Sequence, residues 1–125
     1  MNENELSGVI LDCCFKIHRV LGPGLLESVY ERILAYEFSS KKIKYMRQKA
    51  IPLTYGEITL DVGFRIDFII EDLVLLELKS VESILPIHKK QLLTYLKITD
   101  CKLGFLINFN SNLLKDGIVR IVNHL

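Results

Sequence analysis

Apolar residues recur at helical spacing from the start of the chain. Leu6, Ile10, Cys13 or Cys14, Ile17 and Val20 or Leu21 fall on one face and predict an amphipathic helix over residues 3–21. Gly22-Pro23-Gly24 then breaks the pattern. A second helix is expected from near Leu25 to about Lys41, with Leu26, Val29, Tyr30, Ile33 and Leu34 as its apolar positions. Residues 43–55 are rich in β-formers and lack a helical period, and Tyr55-Gly56-Glu57-Ile58 reads as a hairpin turn. From Phe64 to Ile70 the pattern alternates: Phe64, Ile66, Phe68 and Ile70 on one face, Arg65, Asp67 and Ile69 on the other. Glu71-Asp72 marks a turn into a strand over 73–80 that is apolar on both faces, as in a central strand. Residues 86–98 read as a helix with Pro86 in its first turn. Leu103–Phe109 is a further buried strand and 117–122 a last one. The order ααβββαββ predicts one α/β domain over residues 1–125, with helices packed on a mixed central sheet.

Two charges interrupt the most apolar strand. Glu77 and Lys79 lie two residues apart and so share a face. Charges in such a strand cost several kcal/mol, order of magnitude, unless paired or bound to a metal. Asp67 lies ten residues earlier, on the neighbouring strand. Whether the two acids meet depends on the intervening turn. If Glu71 and Asp72 alone form it, Ile70 faces Leu73, Asp67 faces Leu76, and Glu77 lies on the opposite face from Asp67. A three-residue loop over 71–73, or a bulge, pairs Asp67 with Glu77 and Arg65 with Lys79. A shared site therefore requires the odd loop.

Composition narrows the class. The 125 residues are 50% hydrophobic and 25% charged, a globular balance. No apolar run approaches the roughly 20 residues that span a membrane. The polar, acidic start does not read as a secretory signal. Three cysteines without a CxxC pair suggest neither a disulfide framework nor a zinc site, and fit small core residues of a reduced, cytoplasmic protein. The net charge of +1 is unevenly spread. Residues 41–49 carry five bases and no acid, whereas residues 50–78 carry six acids and one base. That suits a cation site beside a phosphate-binding surface, and equally a solvated loop among surface lysines.

At this point the residues resemble a known family. Asp67…Glu77-Leu78-Lys79 resembles the core motif of the PD-(D/E)XK nuclease superfamily, and Gly24-Leu-Leu-Glu27-Ser-Val-Tyr30 matches the GxxExxY signature of one of its branches. Leu21–Gly24, Gly63–Asp67, Gln91-Leu-Leu-Thr-Tyr95-Leu, Leu106–Phe109 and Lys115–Arg120 are similar to blocks of that branch. The resemblance implies a restriction-endonuclease-like fold and hydrolysis of DNA, with RNA less favoured, using Mg²⁺ or Mn²⁺. It casts Asp67 and Glu77 as metal ligands, with the Leu78 carbonyl completing the site and Glu27 reaching the metal directly or through water. Hard oxygen donors of this kind suit such cations. Lys79 would orient or deprotonate the attacking water, or stabilise the phosphorane. Ile66 stands where the superfamily name has Pro, a position without chemistry of its own. Gln91 and Tyr95, four apart on one helix face, match a QxxxY motif; the resemblance implies that the glutamine helps position the catalytic lysine and metal shell and that the tyrosine contacts DNA or supports the site.

Other residues keep two readings. Glu27 is also a plausible first-turn acid favoured by the helix dipole. Arg65 suits bidentate phosphate contact or a neighbouring carboxylate. Lys89 and Lys90, with Lys41, Lys42 and Lys44, suit backbone contact or plain solvation. Tyr30 reads as a core tyrosine with its hydroxyl bonded, and His18 as structural. The alternative function is a non-catalytic or accessory nucleic-acid-binding module that keeps the nuclease fold. A third reading, an interaction protein with an incidental acidic cluster, predicts no effect of divalent ions on melting. So short a chain offers little surface to grip duplex DNA, so a homodimer or a larger complex would serve it.

Overall fold

The structure, a computed structural model, describes the backbone of residues 1–125 and all side chains except those of Val62 and Gly63. Helix α1 (Glu3–Leu21) starts where Asn2 Oδ1 accepts the Glu5 N–H at 2.8 Å, with Glu3 and Glu5 favouring the positive end of the dipole. Leu6, Ile10, Cys13, Cys14 and Ile17 are buried as expected. Val20 and Leu21, expected on that face, are exposed. The last turn is instead tied down by His18, whose Nε2 lies 2.8 Å from the Ser111 carbonyl oxygen. All three cysteines are free and buried, and burial pushes each thiol's pKa up, which favours the thiol over the thiolate.

Helix α2 (Glu27–Ser40) differs from its predicted face. Tyr30, Leu34, Ala35 and Phe38 are buried, but Leu26 and Val29 are exposed. The rotation has a local cause. Tyr30 is stacked on Phe109 with ring centroids 4.4 Å apart, and its hydroxyl donates to the Gly22 carbonyl at 2.6 Å and accepts the Leu25 N–H at 3.2 Å. Gly22 and Gly24 both take positive φ, 69° and 102°, so this loop folds back over the tyrosine in a way that suits glycine. Anchoring Tyr30 inward turns Leu26 and Val29 outward.

The strands are β1 (Tyr45–Tyr55), β2 (Ile58–Ile70), β3 (Val74–Lys79), β4 (Leu103–Asn108) and β5 (Ile118–Val122), adjacent in that order in one sheet. Only β3 and β4 run parallel, joined by the crossover helix α3 (Pro86–Thr99); the other pairs are antiparallel. A 3₁₀ turn over Leu114–Gly117, absent from the sequence reading, precedes β5. This is the predicted mixed α/β architecture, consistent with a restriction-endonuclease-like fold. Helices α1 and α2 cover one face of the sheet, packing on Phe68, Ile70, Val74, Leu76 and Leu78. Helix α3 covers the other, with Leu92 and Leu96 against Ile66, Ile69, Leu75 and Leu106.

The β2–β3 turn is the odd one. Ile70 pairs with Val74, Ile69 with Leu75 and Phe68 with Leu76. Glu71 and Asp72 both take left-handed φ, 53° and 56°, and the Leu73 N–H closes on the Ile70 carbonyl at 2.9 Å. A tight two-residue turn is thus followed by one extra residue, Leu73, before pairing begins. Glu71 offsets part of the backbone cost by bonding Lys44 twice, through its own N–H (2.9 Å) and by accepting the Lys44 N–H (2.8 Å).

The predicted alternation along β2 is corrected. Phe68 and Ile70 pack with α1 and α2, but Phe64 and Ile66 pack on the α3 side. The faces change over at Asp67, opposite a distortion in β1 where Gln48 takes φ 48°.

Candidate active site

One register step beyond Phe68↔Leu76 puts Asp67 opposite Glu77, and there the β2–β3 ladder opens. Carboxylates take over the backbone's hydrogen bonds. The Asp67 N–H donates to Glu77 Oε1 at 3.2 Å, and the Leu78 N–H donates to Asp67 Oδ2 at 2.8 Å. Glu77 is buried, Asp67 half-buried. Burial, and then the Asp67 charge, push the Glu77 pKa up to about 8; the hydrogen bond from the Asp67 backbone and the Lys79 charge only partly offset this. Burial beside Asp67 thus favours the protonated form of Glu77.

Helix α2 brings a third acid to the same place. Glu27 Oε1 accepts the Ser80 N–H at 3.2 Å, just past the end of β3, and Ser80 Oγ donates to the Leu25 carbonyl at 2.6 Å. The loop that Tyr30 holds is thus stitched directly to the strand that carries Glu77 and Lys79. A cavity of about 320 Å³ opens between α2 and the sheet, lined by Glu27, Ser28, Glu31, Gln48, Asp67 and Leu78. Glu77 lies behind Asp67 rather than in that lining. Among the described residues, no three Asp, Glu, His or Cys side chains form a cluster set to hold a metal. The nearest approach to a hard-cation donor set is the Asp67–Glu77 pair.

With this geometry in view, the family comparison is decisive: residues 4–121 match the PD-(D/E)XK nuclease superfamily. The chain belongs to the PD-(D/E)XK nuclease superfamily. No curated protein and no solved structure gives a significant match. Membership in the PD-(D/E)XK superfamily implies nuclease-type chemistry on a nucleic acid. Among the described residues no helix is long and apolar enough to cross a membrane.

The other residues singled out in the sequence fall unevenly around this PD-(D/E)XK site. Lys79 is half-buried, two residues beyond Glu77 on β3; the Phe109 N–H donates to its carbonyl at 3.0 Å. Tyr95, on α3, stacks on Phe64 with centroids 4.2 Å apart; burial and the charges of Glu77 and Asp67 raise its pKa. Gln91 is exposed and makes no hydrogen bond among the described residues. Arg65 donates to the Gln48 carbonyl at 3.2 Å and forms no ion pair among the described residues. Lys89 lines a different cleft, with Glu82, Asn108 and Asp116, and Lys90 is exposed.

Three residues were missed by sequence reasoning. Glu31 and Gln48 both line the cavity. Glu31 follows Glu27 by four residues, a same-face helical spacing that was readable. Gln48 had no local signal, because only strand pairing brings it to Asp67. Asn108 is buried and clamps Val81, accepting its N–H at 3.1 Å and donating to its carbonyl at 2.9 Å, which fixes the chain just after Lys79.

Proposed function

We propose that this chain is a divalent-metal-dependent nuclease of the GxxExxY branch that hydrolyses phosphodiester bonds in DNA, with residues 1–125 acting as one domain. The observation that carries the reading is the Ile70↔Val74 register, which sets Asp67 beside Glu77 where the ladder opens. The donor set fits Mg²⁺ or Mn²⁺, which are bound through one or two carboxylates while keeping several waters. Asp67 and Glu77 would hold the ion with the Leu78 carbonyl, and Glu27 would reach it directly or through water. When bound, the ion would neutralise charge on the phosphate and lower the pKa of a water.

The chain's own groups supply the rest. Lys79 shares the β3 face of Glu77 and would hold the attacking water or a phosphoryl oxygen. Glu77 would release its proton as the cation enters, because a positive charge removes the reason to retain it. Tyr95 would support this pair from α3. Gln91 would help position Lys79 and the metal shell, while Arg65, Lys89 and Lys90 would contact phosphates of the polynucleotide. A second copy or a larger complex would widen the gripping surface.

The accessory-module reading draws on one observation. Both Asp67 oxygens already accept hydrogen bonds, from Gln48 and Leu78. Each oxygen retains a further lone pair, so the site stays competent for a cation. The test is cleavage of linear, circular and single-stranded DNA with Mg²⁺ or Mn²⁺, with Asp67→Asn and Lys79→Ala as controls. Metal-dependent cleavage lost in both variants supports a nuclease. Cleavage that survives both substitutions, or its absence in the wild type, would reject it.

A further inference from the structure

Gln48 combines a left-handed backbone with a side chain bonded to two acids. It takes φ 48° inside a strand, left-handed backbone that a non-glycine residue rarely adopts. Its side-chain amide also joins two acids. Nε2 donates to Asp67 Oδ1 at 2.9 Å and to Glu31 Oε1. Glu31 is held in turn by Arg47, whose Nη2 lies 2.9 Å from Oε2. The Gln48 carbonyl accepts from Arg65 Nη1 at 3.2 Å. The distortion of β1 therefore aims one amide at the cavity and is braced by both neighbouring arginines.

We propose that Gln48 is the positioning residue that fixes the Asp67 carboxylate for cation binding, acting through its side-chain amide. This rests on the nuclease reading only in taking Asp67 as a ligand. Asp67 is gripped from both sides, by the Gln48 amide on Oδ1 and the Leu78 N–H on Oδ2. The plane of the carboxylate is set by that grip, leaving its free lone pairs for a cation. Glu31 braces the amide from the far side, with its other oxygen paired to Arg47. Outer partners of this kind are typically worth about 10–100-fold in metal affinity.

The test separates the amide from the backbone. Mn²⁺ binding is measured by calorimetry on wild type, Gln48→Ala and Gln48→Gly, with apo melting temperatures alongside. Alanine removes the amide and keeps the strained φ; glycine removes both. Loss of Mn²⁺ affinity by about tenfold or more in both variants, with glycine melting above alanine, is the expected result. Wild-type affinity in Gln48→Gly would assign the effect to backbone shape and overturn the proposal, as would wild-type affinity in both. A wild type that binds Mn²⁺ without cutting DNA would refute the nuclease reading alone, whereas one that binds no Mn²⁺ refutes both.

Discussion

The sheet has two antiparallel hairpins that differ by one residue in their turns. At the β1–β2 tip Tyr55 pairs with Ile58 around Gly56-Glu57, so two residues make the loop. At the β2–β3 turn Ile70 pairs with Val74, so three do. The first turn joins strands whose side chains there, Tyr55, Ile58 and Leu60, are exposed. The second decides whether two acids share a site. A one-residue slip moves every side chain to the other face. In β3 both faces are buried and apolar, so hydrophobicity alone barely specifies register. Its polar groups and the turn do.

Deleting Leu75, with the turn still holding Ile70 opposite Val74, attacks that register most directly. The deletion should put Asp67 opposite Leu78 and lower nuclease activity by more than about a hundredfold, because small displacements of reacting groups cost that much. A deletion variant that folds and keeps its activity would break the comparison.

Next in size is a pH effect confined to the site end of β3. The Glu77 pKa of about 8 lies above its unfolded value, so its protonated form favours the native state. That contribution is complete below the ordinary carboxylate range and is lost as pH rises through about 8. The apo melting temperature should therefore fall from about pH 5 to pH 8, an effect that Glu77→Gln should flatten. Mg²⁺ should oppose the fall, with affinity that rises across the same window. A melting temperature as pH-dependent in Glu77→Gln as in wild type would remove Glu77 as the cause.

Smaller still is the strain in the turn itself. Asp72 stands at φ 56°, and Asp72→Gly should raise stability by up to about 1 kcal/mol in urea unfolding without changing activity. Smallest is the tip: one glycine inserted between Gly56 and Glu57 should leave activity within about twofold, since a loop tip tolerates added length. A large loss there would mean that the tip, too, serves the site.

Much of this protein was legible in its sequence. The order of elements, the mixed sheet and the start of α1 followed from periodicity and Gly-Pro-Gly punctuation, which are local signals. The acids and lysine announced themselves because charges in a buried strand need a reason. The face of α2 was misread, since Leu26 and Val29 look like core residues until Tyr30 is seen bonding Gly22. The alternation of β2 was misread beyond Asp67, because nothing local marks the changeover opposite Gln48.

The sequence by itself determined which residues are available and the condition they must meet, an odd turn between Ile70 and Val74. Only the tertiary structure decided that the condition holds, and added Glu31 and Gln48 to the site. The physical reason is distance along the chain. Glu31 shares a helical spacing with Glu27, but its meeting with Gln48 and Asp67 runs through hydrogen bonds between a helix and two strands, and those leave no period in the sequence.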